Sequence, residues 1–133
     1  MAVLNNITVE TSDLKRLKHD IERYLLGDDV DFSSEISFAK RQILRQIRNR
    51  EYEKTGLIGS DMSERLATVK DIEGDEPLKD KVIFLTIYLI MNANGRQEEA
   101  EYWNFKQEQI ELEYTITSTD IEEVEIKPPE FSR

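Results

Sequence analysis

Residues 77–114 read PLKDKVIFLTIYLIMNANGRQEEAEYWNFKQEQIELEY, and the fold turns on them. The first half is apolar at Val82, Ile83, Phe84, Leu85, Ile87, Tyr88, Leu89, Ile90 and Met91. A helix that is apolar on nearly every side has to be covered by protein on nearly every side. The second half is highly charged and sets Tyr102, Phe105, Gln109 and Leu112 at spacings of three and four. That spacing marks an amphipathic helix with a narrow buried face. Asn94-Gly95 supplies a tight turn between the halves. The stretch predicts a long antiparallel helical hairpin whose first helix is central, in an all-α, small helical bundle.

Working outward, the residues before the hairpin supply its covering. Thr11, Ser12 and Asp13 are N-cap residue types. They predict a first helix over 13–26, with Leu14, Leu17, Ile21, Tyr24 and Leu25 on one side and Gly27 as its stop. An acidic loop follows at 28–31. Ser33 and Ser34 open a second helix reaching about residue 53, with Ile36, Ala39, Ile43 and Ile47 as its buried stripe. Its outer face carries Lys40, Arg41, Arg45, Arg48 and Arg50, a locally basic surface in an acidic chain. Residues 57–77 read as a long surface loop with one short helix across 63–68. Pro77 sits where helix starts accept proline.

Beyond Tyr114 the pattern changes. Ile121, Val124 and Ile126 alternate with acids, and Pro128-Pro129 excludes helix. The expectation is a helical body over 1–114 and an extended C-terminal arm over 115–133. An arm of this kind is a candidate docking segment, adding to a partner's sheet edge or groove.

With 133 residues the chain is long enough for one core. The formal charge of −10 argues against a module that wraps nucleic acid, which is usually basic overall. There is no cysteine, which excludes disulfides, thiolate metal sites and cysteine nucleophiles. The start MAVLNNITVETSD lacks the basic and apolar runs of a secretory leader. The apolar run over 82–91 falls well short of the roughly twenty residues that span a bilayer. A soluble protein without membrane contact is expected.

No catalytic constellation emerges. His19, the single histidine, belongs to no His-x-x-x-His or Glu-x-x-His pairing and reads as a surface residue. The glycines have neither Walker nor dinucleotide spacing. The Asp28-Asp29-Val30-Asp31 run lacks the central glycine and distant glutamate of a calcium loop. Glu98, Glu99 and Glu101 complement a helix N-terminus. The expectation is a non-enzyme with no cofactor and no metal. The aromatics Tyr102, Trp103 and Phe105 lie among Glu99, Glu101 and Glu108, which would repel phosphate, so core packing is the reading adopted for them. The default reading of the second helix's basic face is a solvated surface; its functional reading is contact with an acidic neighbour, either nucleic acid or another copy of this chain. Lys40, Arg41, Arg45 and Arg48 facing Glu108 and Glu111 across a subunit boundary would make head-to-tail contacts that close into rings.

The capped first helix, the basic second helix and the hairpin together resemble the head–tail connector (adaptor) family of tailed bacteriophages. The run 78–91 is similar to that family's long aliphatic helix. Glu99, Tyr102, Trp103, Lys106, Ile110, Glu111 and Tyr114 are similar to its charged return helix. The resemblance covers residues 11–114. It implies a structural virion protein forming a homo-oligomeric ring, of dodecameric type, in the neck between capsid and tail, made in the host cytoplasm. The implied partners are the portal protein and a tail-side neck or tail-terminator protein, with genomic DNA passing through the channel without specific binding. Carried over to this chain, the portal-docking arm is 115–133, with Ile121, Val124, Ile126, Pro128, Pro129 and Phe131 as anchors. The alternative from a different class is a small helical nucleic-acid-binding regulator that uses the basic face of the second helix.

Overall fold

The central helix forms as its sequence demands. In the computed structural model, which describes residues 7–25, 31–117 and 123–126, α4 (Pro77–Ala93) buries Leu78, Val82, Ile83, Leu85, Ile87, Ile90 and Met91. Each fully buried aliphatic side chain of this size contributes about 1.5–3 kcal/mol, so α4 is the largest single source of apolar burial. Pro77 stands in its first turn. Asp71, upstream of the helix, supplies the cap: its carboxylate accepts from the amides of Leu78 and Lys79, each at 2.8 Å, and of Ile72 at 3.0 Å. Two of these donors belong to the first turn, which has no partners inside the helix.

Among the described residues there are four further α-helices: α1 (Thr11–Leu17), α2 (Ser33–Thr55) and α5 (Gln97–Gln109) pack on α4, and α3 (Gly59–Leu66) packs on α2. Helices α2 and α5 both pack along α4 and make no extensive contact with one another. The α2 stripe Ile36, Ala39, Ile43 and Ile47 is buried as its spacing predicts. Gly56 ends α2 at φ 72°, a left-handed conformation that glycine adopts without strain. Asn94 and Gly95 turn the chain from α4 into α5. There the Arg96 amide donates back to the Met91 carbonyl at 2.9 Å.

Several expectations are corrected. The first helix stops after Leu17 instead of running to residue 26, because Lys18 takes an extended backbone at φ −137°, ψ 95°. A 3-10 turn (Ile21–Tyr24) follows. The break lets Leu14 and Ile21 both be fully buried, and lets Lys18 Nζ reach Glu99 on α5 at 2.7 Å. The middle segment is no loose loop. Helix α3 begins at Gly59, Val69 is buried, and Lys70 pairs antiparallel with Thr115.

The return helix ends at Gln109, well before residue 114. Lys81 explains the stop: this buried α4 ammonium donates to the carbonyls of Gln107 at 2.6 Å and Ile110 at 3.0 Å, closing the end of α5. The predicted buried face of α5 is also wrong. Tyr102 and Phe105 are 53% and 59% exposed, whereas Ala100 and Gln107 are buried and Trp103 rests on Phe84 with ring centroids 5.8 Å apart. Small Ala100 allows the close approach to α4 that Tyr102 would block.

The chain after residue 110 does not leave the body at once. β1 (Tyr114–Thr117) pairs antiparallel with β2 (Glu123–Ile126), Tyr114 opposite Ile126 and Ile116 opposite Val124. Tyr114 and Ile116 alternate onto one strand face and are fully buried in the core. Residues 114–116 therefore belong to the body, and strand pairing replaces a free extended arm over 123–126.

Candidate assembly surface

The outer face of α2 carries more than charge. Phe38, Arg41, Arg45, Arg48 and Tyr52 recur at intervals of three, four, three and four, and all five are exposed. They form one stripe along the helix. Arg41 lies over the Phe38 ring at 5.8 Å from its centroid, a cation–π contact that keeps both side chains on the surface. Among the described residues no acid pairs with Arg41, Arg45 or Arg48. Lys40 stands apart from the stripe. It is half-buried, and burial lowers the pKa of its ammonium.

On α5 the exposed residues are Gln97, Glu98, Glu101, Tyr102, Phe105, Glu108 and Gln109. Tyr102 is bracketed by its own helix: Trp103 meets it edge-on at 5.1 Å, and Lys106 Nζ lies 5.6 Å from its ring centre. Glu108 accepts from Asn104 at 3.1 Å. Glu111 is exposed but lies past the end of α5, in the connection to β1. Of the predicted contact residues, the structure therefore aligns Arg41, Arg45 and Arg48 on one helix face and keeps Glu108 on another. Lys40 and Glu111 fall outside both faces.

Beside the α2 stripe lies a cleft of about 440 Å³ lined by Arg48, Asn49, Tyr52, Leu57, Ile58 and Met62. Ile58, at the start of α3, is 71% exposed.

The strands are anchored next to this cleft. Glu51 is fully buried with a donor on each carboxylate oxygen: Arg65 Nε of α3 at 2.6 Å, and the Tyr114 hydroxyl of β1 at 2.5 Å. Arg50 donates to the Leu112 carbonyl, and its guanidinium lies 6.0 Å from the Tyr114 ring centre. Burial, with Glu51 second, pushes the Tyr114 phenol above its usual range, so it stays a donor. Two adjacent α2 residues thus fix where the C-terminal strands sit.

Of the proposed docking-arm anchors, Ile121, Pro128, Pro129 and Phe131 lie outside the described residues. For Val124 and Ile126 the backbone alone is described, paired with β1.

His19 is exposed. Among the described residues no group of three His, Asp or Glu side chains could hold a metal ion, and no helix is long and apolar enough to cross a membrane. Sequence reasoning missed Phe38 and Tyr52 as surface residues, although both fall in register with the arginines. It also missed Glu51, Asp71 and Lys81, which look like ordinary surface charges until their partners from distant segments are in place.

No protein-family model matches the chain, nor does any curated protein or solved structure.

Proposed function

We propose that this protein is a structural head–tail connector of a tailed bacteriophage, assembling as a ring between portal and tail and extending the DNA channel. One observation carries the reading. Large aromatic side chains stand exposed on both long helices flanking α4: Phe38 and Tyr52 on α2, Tyr102 and Phe105 on α5. Aromatic side chains are enriched at protein interfaces over the rest of the surface, which supports reading these faces as assembly surfaces.

The all-α bundle is the kind of fold that the sequence resemblance implies. The net charge of −10 suits a channel protein past which DNA must slide, since a surface that bound phosphate would hold it. In this reading the partners are further copies of the chain, the portal ring and a tail-side ring. The chain performs no catalysis.

The test is the mass of the purified full-length protein over a concentration series, with electron microscopy of the largest species. A closed ring with a central opening is the expected result. A compact monomer at every concentration overturns the reading. If that monomer binds duplex DNA with steep salt dependence, the nucleic-acid reading takes its place.

A further inference from the structure

We infer that the aromatic, acidic stripe of α5 in one copy packs on the aromatic, basic stripe of α2 in the next. This rests on the ring-forming reading above and deepens it by naming the two faces that meet.

The two stripes match in three respects. Their charges are opposite: Arg41, Arg45 and Arg48 on α2 against Glu98, Glu101 and Glu108 on α5, all exposed. Their apolar content matches as well, since each has two exposed aromatic rings among the charges. Their lengths are also compatible. At 1.5 Å per residue, 38–52 spans about 21 Å and 98–108 about 15 Å, so the whole α5 stripe can lie along the α2 stripe. Intervals of three and four on both helices are those that interdigitate when helices pack.

Position in the fold adds a further constraint. Among the described residues Arg41, Arg45 and Arg48 make no ion pair with Glu98, Glu101 or Glu108 of the same copy, and α2 and α5 make no extensive contact, so each copy leaves one positive and one negative face unsatisfied. Such a contact is heterologous, repeating head to tail until it closes. It also gives the sequence pattern at Tyr102 and Phe105 a physical sense: their spacing reads as a buried face because the interface covers it. The basic stripe alone would suit nucleic acid too. The α5 face of opposite sign and similar composition on the same molecule favours a second copy.

The experiment uses two full-length variants. Arg45→Glu/Arg48→Glu makes both faces acidic, and Glu101→Arg/Glu108→Arg makes both basic. Circular dichroism checks that each retains its helices, which these exposed positions should leave intact. Like charges placed opposite each other should weaken self-association of either variant by about a hundredfold. An equimolar mixture should regain oligomers of wild-type size with the two chains in equal amounts, because each reversed face then meets its complement. The chain carrying all four substitutions should assemble alone.

If the wild type forms rings and both variants do so equally well, this interface is wrong and the ring reading survives. The pairing is also overturned if the variants dissociate and the mixture fails to reassemble. A wild type that is monomeric throughout removes both this inference and the ring.

Discussion

Glu51 shows how much of this fold depends on single polar side chains. It sits one turn from the C-terminal end of a helix rich in surface charge, yet it is fully buried and joins α2, α3 and β1 through Arg65 and Tyr114. Removing one member of a buried pair costs about 3–5 kcal/mol, because the remaining charge is left unmatched. Arg65 keeps some access to water, which places Glu51→Leu near the lower end of that range. Tyr114→Phe removes one hydrogen bond to a charged group and should cost about 1.5–3 kcal/mol. Urea denaturation of the two variants should give that order.

Tyr114 also predicts a pH dependence. Its phenol pKa is raised in the folded protein by burial and by Glu51, against about 10 in an unfolded chain. Above pH 10 the unfolded state releases a proton that the native state keeps, so the native state binds more protons and stability falls as pH rises. The contribution is fully present below pH 10 and is lost above it with a slope of about 1.4 kcal/mol per pH unit. In Tyr114→Phe that part of the slope should vanish. Equal slopes in the two proteins would mean that the phenol ionises freely in the fold.

At the scale of elements, α4 and α2 were legible because their signals are local. A continuous apolar run needs no knowledge of its neighbours to be central, and the α2 stripe Ile36, Ala39, Ile43 and Ile47 repeats over three turns. The ends and faces decided by distant partners were not legible. Lys18 leaves the first helix to meet Glu99, and Lys81 closes α5 from the neighbouring helix. The periodic signal of α5 pointed to Tyr102 and Phe105, whereas packing on α4 selected Ala100 and Trp103.

Asp71 belongs with these distant effects, since it sits seven residues from the nearer of the α4 amides it caps. Asp71→Ala should destabilise the protein by about 1–2 kcal/mol, the upper range for loss of a helix cap, as several amides lose their acceptor together. Hydrogen exchange offers the local check: the amides of Leu78 and Lys79 should exchange faster than in the wild type, with the middle of α4 little changed. Uniform acceleration along α4 would instead mean that Asp71 supports the whole helix.

For the whole molecule, the position of β1 changes how the proposed docking arm has to be tested. Cutting the chain after residue 114 would remove Ile116, a core residue, and the strand that pairs with Lys70. A lost activity in that truncation would report a damaged body. The informative cut follows Ile126 and removes Pro128, Pro129 and Phe131 while leaving both strands. If those residues anchor a portal, the shortened chain should keep its helical content and its self-association, since neither helix stripe is touched. It should lose binding to a purified portal ring.

The size of that loss follows from multivalency. A few apolar anchors on one short arm hold weakly by themselves, but a ring presents one arm per subunit at once, and linked contacts exceed single ones by about 10²–10⁴-fold. A free peptide of residues 121–133 should therefore compete for the portal at least about a hundredfold more weakly than the intact ring. A peptide that matches the ring would place all the affinity in one arm and make assembly irrelevant to docking. A ring that binds equally well without residues 127–133 would move the docking surface onto the helical body, where the cleft beside Tyr52 and Ile58 would be the next surface to alter.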